Sequence, residues 1–295
     1  MKQISEEILI PDRISQKNGY GGLPYFELLW HGAEAHLYLH GAHVLHYQPA
    51  GQRPVLWQSE ESWFEPGRPI RGGIPVCWPW FGAHPNEPDQ PSHGFARITE
   101  WEPENSSATA ESTVVTLKLP VSSCPQGISL QLRVELSDQL SVSLTTANAC
   151  EADFKFSEAL HSYFSISDIH EVNVSGLEGQ YYLDSLSRGS SPRKQTGQVT
   201  FSAETDRIYI NTPHTCHIVD EAFKRSIRIE KENSLSTVVW NPWTEKSIRM
   251  PDFGAREFLK MLCVETANCG PDAVTMAPGE THTMRLQIFV RNDRT

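Results

Sequence analysis

Apolar and polar residues alternate with a period of two through most of this chain, and that alternation rules out most of the architectures open to it. Ser112-Thr113-Val114-Val115-Thr116-Leu117-Lys118-Leu119 alternates, and Ser129-Leu130-Gln131-Leu132-Arg133-Val134-Glu135-Leu136 repeats the pattern. Leu140 to Thr146 resumes it beyond the Ser137-Asp138-Gln139 turn. A strand turns successive side chains to opposite faces, so the pattern describes a meander with one wet face. The same reading applies to 35–39, 198–201, 207–210, 226–229 and 283–290. No amphipathic helical pattern longer than about three turns interrupts these segments, and strands never alternate with helices. The chain is therefore predicted to be all-β. Without self-similarity at a period of about forty residues, a large two-sheet antiparallel sandwich is favoured over a propeller.

A chain of 295 residues could hold two average domains, but β-sandwiches often run past about two hundred residues as one unit. The loosest stretches, 86–92, 187–198 and 268–279, read as loops between strands rather than linkers. A single domain over residues 1–295 is predicted. A formal charge of −11 leaves no global positive field for nucleic acid or an anionic membrane, so a bound anion must be held by local arginines. Glu6, Glu7 and Asp12 interrupt the stretch where a signal peptide needs apolar residues, and no run approaches about eighteen apolar residues. A cytoplasmic protein is expected. The six cysteines are scattered without zinc-ligand spacing, which predicts free thiols and no metal site.

Six stretches carry chemistry. In Glu158-Ala159-Leu160-His161-Ser162-Tyr163-Phe164, alternation puts His161 on one face with Ala159 and Tyr163; a half-buried histidine satisfied by backbone is the ordinary alternative. Glu265 ends the nearly continuous apolar run 258–264. A carboxylate buried there without a partner would cost several kcal/mol, unless the strand surfaces just before it. Asp206 opens a strand, where turn capping is the more common role. The segment Arg68-Pro69-Ile70-Arg71-Gly72-Gly73-Ile74-Pro75-Val76-Cys77-Trp78-Pro79-Trp80-Phe81-Gly82 combines a guanidinium fork for an oxyanion, glycines that let a ligand approach backbone, and tryptophans suited to a sugar's apolar face. His93-Gly94-Phe95-Ala96-Arg97 and Trp240-Asn241-Pro242-Trp243 offer similar groups.

Taken in order, Arg68 to Pro75, His93 to Arg97, Leu160-His161-Ser162-Tyr163-Phe164, Thr205-Asp206-Arg207-Ile208-Tyr209, Val239 to Trp243 and Cys263-Val264-Glu265 resemble the D-hexose-6-phosphate mutarotases of the aldose 1-epimerase superfamily. The resemblance runs from about residue 20 to the C-terminus. It implies a galactose-mutarotase-like β-supersandwich that interconverts α and β anomers of a hexose 6-phosphate, glucose 6-phosphate above all, without cofactor or metal. It assigns His161 as acid and Glu265 as base. Arg71 and Arg97 would hold the phosphate, His93 and Asp206 the sugar hydroxyls, and Trp240 belongs to the substrate-binding set. The expected partner is a small sugar phosphate, with no nucleic acid, no membrane and a monomeric chain. Three readings compete: an epimerase of unphosphorylated aldoses, a non-catalytic carbohydrate-binding sandwich, and a glycoside hydrolase, which would normally need two carboxylates.

Overall fold

The computed structural model describes residues 6–187, 189 and 191–292. The readings of Met1 to Ser5, of Arg188 and Ser190 in the 187–198 loop, and of 293–295 lie outside the described residues. The strands Ile14–Asn18, Pro24–Trp30, Ala33–Tyr38 and His43–Gln48 form an antiparallel meander. One eight-stranded sheet runs in the order Val172–Ser175, Cys216–Asp220, Arg225–Glu232, Thr281–Asn292, Leu140–Asn148, Ile128–Leu136, Thr113–Lys118, Glu102–Ala108. The second, which carries the site, runs Arg193–Lys194, Tyr181–Asp184, Thr205–Tyr209, Ser236–Asn241, Met261–Asn268, Glu158–Leu160, Val76–Cys77, with Tyr163–Ser165 also paired to Met261–Asn268. Phe154–Phe156 and Val274–Met276 make a short separate pair. Among the described residues the one α-helix is Trp243–Arg249.

The period-two pattern explains the first large sheet directly. Ile128, Leu130, Leu132, Val134 and Leu136 are all buried while the residues between them are not, and their partners across the ladder include Leu144, Val142 and Leu140. Each fully buried aliphatic side chain contributes about 1.5–3 kcal/mol. One contiguous core, drawing on residues from Ile8 to Ile288, joins the N-terminal meander to both eight-stranded sheets.

Two sequence expectations meet a different outcome. Residues 198–201 alternate but form no strand: only Val199 pairs, exchanging hydrogen bonds of 2.8 and 2.9 Å with Val174, so one bridge pins a loop. The apolar run ending at Glu265 begins as a 3₁₀ turn, Glu257–Lys260, and becomes the strand Met261–Asn268, every residue of which is buried. The strand therefore does not surface before Glu265. It continues three residues beyond it because neighbours pair on both of its edges.

Candidate active site

Strand register brings His161 to Glu265. Glu158–Leu160 pairs with Met261–Asn268 so that Leu160 faces Thr266, and Tyr163–Ser165 pairs with the same strand so that Tyr163 faces Cys263. These two ladders share one register. Extending it across the interruption sets His161 opposite Glu265, and partners opposite each other point to the same face. On the far edge Val238 faces Glu265 and Trp240 faces Cys263, and one strand further Asp206 faces Trp240. Thus His161, Glu265, Trp240 and Asp206 share one face of the sheet. A small apolar cluster of Cys77, Ala159, Val238, Ala267 and Cys269, with Phe81 and Ile208 against it, occupies the rest of that face.

His161, Glu265, Trp240 and Asp206 line a cavity of about 460 Å³, together with Arg71, Phe81, His93, Tyr163, Lys246 and Met250, within the size range of small-molecule sites. At its floor His161 Nε2 lies 3.2 Å from Glu265 Oε1, with the imidazole side chain 9% and the carboxylate 1% exposed. The His161 ring stacks on Tyr163, centroids 4.8 Å apart, and meets Trp240 and His93 edge-on. Burial holds His161 well below the ordinary imidazole range, reinforced by His93, Arg97 and Arg71. Burial also holds the Glu265 carboxyl well above its ordinary range; Asp206 adds to this and Arg97 opposes it. Both shifts favour uncharged forms, so the pair is most stable sharing a single proton. Glu265 Oε2 has no hydrogen-bond partner among the described residues, which leaves one carboxyl oxygen able to meet a substrate hydroxyl.

The Arg68 to Gly82 segment lies along the other edge of the His161 segment. Ala159 faces Cys77 and Leu160 faces Val76, while His161 N–H donates to Pro75 O and Tyr163 N–H to Gly73 O at 3.0 and 2.8 Å. This pairing delivers Arg71 to the cavity. Its guanidinium makes a fork on Asp252, with N–O distances of 3.0–3.2 Å, and donates from Nη1 to Tyr163 Oη at 2.9 Å. The glycines serve backbone rather than ligand. A Cβ on Gly72 would fall 2.5 Å from Trp57 O and Gln58 Cα, and one on Gly73 would fall 2.4 Å from Val44 O. The tryptophans also differ from expectation. Trp78 is wholly buried in the core and Trp80 hydrogen-bonds Pro91 O; neither lines the cavity, whose aromatic walls are Trp240, Phe81 and Tyr163.

His93 projects from a tight loop in which it and Gly94 adopt φ of 64° and 76°. A Cβ on Gly94 would fall 2.0 Å from Trp78 O, so only glycine fits there. The His93 ring is pushed down to about 3 by burial, then by Arg97, Arg71 and Lys246, and is neutral at physiological pH. Nδ1 accepts from Gly82 N–H at 3.3 Å, which assigns the ring proton to Nε2, a donor. Arg97 does not line the cavity. Its Nη2 donates to Ser92 O at 2.6 Å and its Nε is buried without a partner among the described residues, yet its charge reaches His93, His161 and Glu265.

At the opposite rim Asp206 stands beside Lys246, whose ammonium lies 3.7 Å from Asp206 Oδ2 and 2.9 Å from Glu204 Oε1, and 5.6 Å from the Trp240 ring centroid. Asp206 is raised by burial, against the lowering effects of Ser185 and Lys246. The site thus brings together His161, Glu265, Arg71, His93, Asp206 and Trp240, and holds Arg97 just behind it. Sequence reasoning missed Lys246, Asp252 and Phe81. The Lys246 signal was available, since it lies in the helix that directly follows Trp240-Asn241-Pro242.

Comparison with known proteins agrees with this geometry. The aldose 1-epimerase family profile matches residues 28–288. A protein of Cenchrus ciliaris named as a candidate glucose-6-phosphate 1-epimerase is 34% identical over 268 residues, covering 86% of this chain and 80% of its own length. A protein of Escherichia coli K12 with the same name is 36% identical over 235 residues, covering 78% of each. Among solved structures, a candidate mutarotase of Salmonella typhimurium superposes with a TM-score of 0.88 at 28% identity, over 97% of this chain and 96% of that one. A galactose mutarotase-like protein of Clostridium acetobutylicum shares the fold, with a TM-score of 0.71 at 13% identity over 95% and 98% of the two chains. A β-sandwich built in this order, with the profile spanning nearly all of it, belongs to the aldose 1-epimerase family.

Proposed function

We propose that this protein interconverts the α and β anomers of a hexose 6-phosphate, glucose 6-phosphate first among them. The observation that carries the reading is the buried His161–Glu265 pair at 3.2 Å on the cavity floor. A proton passing from the carboxyl to Nε2 converts the neutral pair into imidazolium and carboxylate. In that form Glu265 takes the proton from the anomeric hydroxyl, the C1–O5 bond breaks as C1=O forms, and His161 protonates O5. Rotation about C1–C2 presents the other carbonyl face. The C5 hydroxyl then adds to C1, returning its proton to His161 while the carbonyl oxygen regains one from Glu265. Each group ends as it began, and no covalent intermediate is needed. His93, through Nε2–H, and Asp206 hold sugar hydroxyls, and Trp240 faces the ring's apolar side.

The phosphate is read by Arg71 and Lys246, which line the cavity, with the charge of Arg97 acting from just behind it. Lys246 has the most freedom, since its side chain is 32% exposed, whereas the Arg71 fork already holds Asp252. A phosphate dianion near these cations also offsets the charges that hold His161 neutral, so a phosphorylated sugar favours the imidazolium that the step requires. That Arg71 is already paired favours one competitor, an epimerase of unphosphorylated aldoses. Six free cysteines suit a reducing cytoplasm, and no helix among the described residues is long and apolar enough to cross a membrane.

NMR exchange of anomers, measured with glucose 6-phosphate and glucose side by side, tests the reading. Arg71→Ala and Lys246→Ala should each lower kcat/KM for the phosphate ester roughly 10- to 150-fold, the scale of a lost charge-assisted hydrogen bond, with a much smaller loss on glucose, and Arg97→Ala should lower it less, since Arg97 does not line the cavity. Equal fractional losses on both substrates would remove the phosphate assignment. No acceleration of either sugar would remove the activity.

A further inference from the structure

Behind the His161–Glu265 pair lies a thiol with no part in the proton transfers. Cys263 is two residues before Glu265 on the same strand, hence on the same face, and its ladder partners are Tyr163 and Trp240. One ligand atom from each of His161, Cys263 and Glu265 lies within 4.8 Å of the other two, and all three residues are buried. An imidazole, a thiol and a carboxylate converging on one point form the donor set of a zinc site with three protein ligands, whose fourth position stays open. Two of the three donors, His161 and Glu265, line the cavity.

We propose that the cavity floor is an inhibitory site for a soft divalent cation such as Zn²⁺, bound by His161 Nε2, Cys263 Sγ and Glu265. Zinc–nitrogen and zinc–oxygen bonds of about 2.0–2.2 Å and a zinc–sulfur bond of about 2.3 Å place tetrahedral ligands closer together than the 4.8 Å limit of this cluster, so a modest inward shift closes the shell. The ion displaces the thiol proton and any proton on Glu265 to solvent. Thiolate, carboxylate and Zn²⁺ then sum to zero charge, which suits a buried position. Arg71 and Arg97, whose charges reach His161, oppose the cation, and the Asp252 carboxylate paired with Arg71 offsets part of that opposition. With the cation in place neither His161 nor Glu265 can move a proton, so bound zinc stops turnover.

A second cluster, Glu27, Glu34 and His36 on the N-terminal meander, has similar spacing, but it is partly exposed and Lys17 already pairs with Glu27. Its presence shapes the experiment, which uses His36→Ala protein throughout to remove that cluster. Titration of this protein with Co²⁺ should produce a thiolate-to-metal charge-transfer band saturating at about one equivalent, with Zn²⁺ competing for it. Zn²⁺ should block anomer exchange reversibly, with EDTA restoring it. Adding Cys263→Ser should abolish the band, leave exchange without metal within about twofold of the parent, and weaken zinc inhibition by roughly a hundredfold or more, since losing a ligand costs at least what losing an outer partner does. Cys263→Ala serves if the serine variant fails to fold. Cys77→Ser should change neither readout.

The absorption band depends only on the three ligands, while the inhibition rests also on the proposed catalytic pair. A band without inhibition would therefore overturn the catalytic reading and keep the metal site. No band, or zinc sensitivity unchanged in both Cys263 variants, would overturn the site.

Discussion

At His161 and Glu265 the fold holds two ionisable groups where burial disfavours the charge on each. For Glu265 the folded pKa is raised, so between its ordinary value and that raised value the folded state binds more protons than the unfolded chain. Stability therefore falls as pH rises through that interval. His161 has a depressed folded pKa, so the unfolded chain binds more protons below about 6.5 and stability falls as pH drops through that region. Glu265→Gln keeps nearly the same volume and removes the first term. It should flatten the decline in Tm above pH 4.5 and leave Tm at neutral pH equal to or above that of the parent, while turnover falls roughly 10²-fold or more. His161→Ala should lose turnover on the same scale. Calorimetry across pH, paired with anomer exchange, checks both; a variant keeping most of the parent rate would release its residue from the proton-transfer role. These two residues were legible in the sequence because each stands out locally, a histidine within a strand pattern and a carboxylate against an apolar run. Asp252 was not. It earns its place by meeting Arg71 across 181 positions, and no local pattern encodes a partner that distant.

Among the elements, the turn joining Ser236–Asn241 to the helix Trp243–Arg249 depends on one amide. Asn241 is fully buried, its Nδ2 donating to Phe258 O and Met261 O at 2.8 and 3.0 Å while Oδ1 accepts Trp243 N–H at 2.9 Å. This clamp ties the helix carrying Lys246 to the start of the strand carrying Glu265, and holds Trp243 at a φ of 55°. Asn241→Ala leaves two carbonyls and an N–H without that partner, which should cost about 2–4 kcal/mol and lower Tm by roughly 3–6 °C. A thermal melt reads it, and a change under about 1 °C would show that the turn stands without the clamp. Alternation predicted most strands to within a few residues, as with Thr113–Lys118 and Ile128–Leu136. It failed at 198–201, where the pattern was right but no neighbouring strand was available beyond Val174. The role of Gly72 and Gly73 was hidden for the same reason. What approaches them is backbone from residues 44 and 57–58, and a sequence shows that a glycine is present without showing what comes near it.

For the whole molecule, the core that joins the meander to both large sheets supports the proposal that residues 1–295 fold as one domain. Calorimetry should then give a single transition with equal calorimetric and van't Hoff enthalpies; two separated transitions, or a proteolytic half that melts cooperatively alone, would divide it. The strand Met261–Asn268 has a further consequence. It is an interior strand of the site sheet, pairing with Ser236–Asn241 on one edge and with Glu158–Leu160 and Tyr163–Ser165 on the other, yet it follows all three of these partners in the chain. A nascent chain that has emerged as far as Asn241 therefore presents two open strand edges waiting for a partner not yet made, the state in which chains pair wrongly with one another. His161 spends that interval without its carboxylate, so the pair can form only once residues 261–268 have been made.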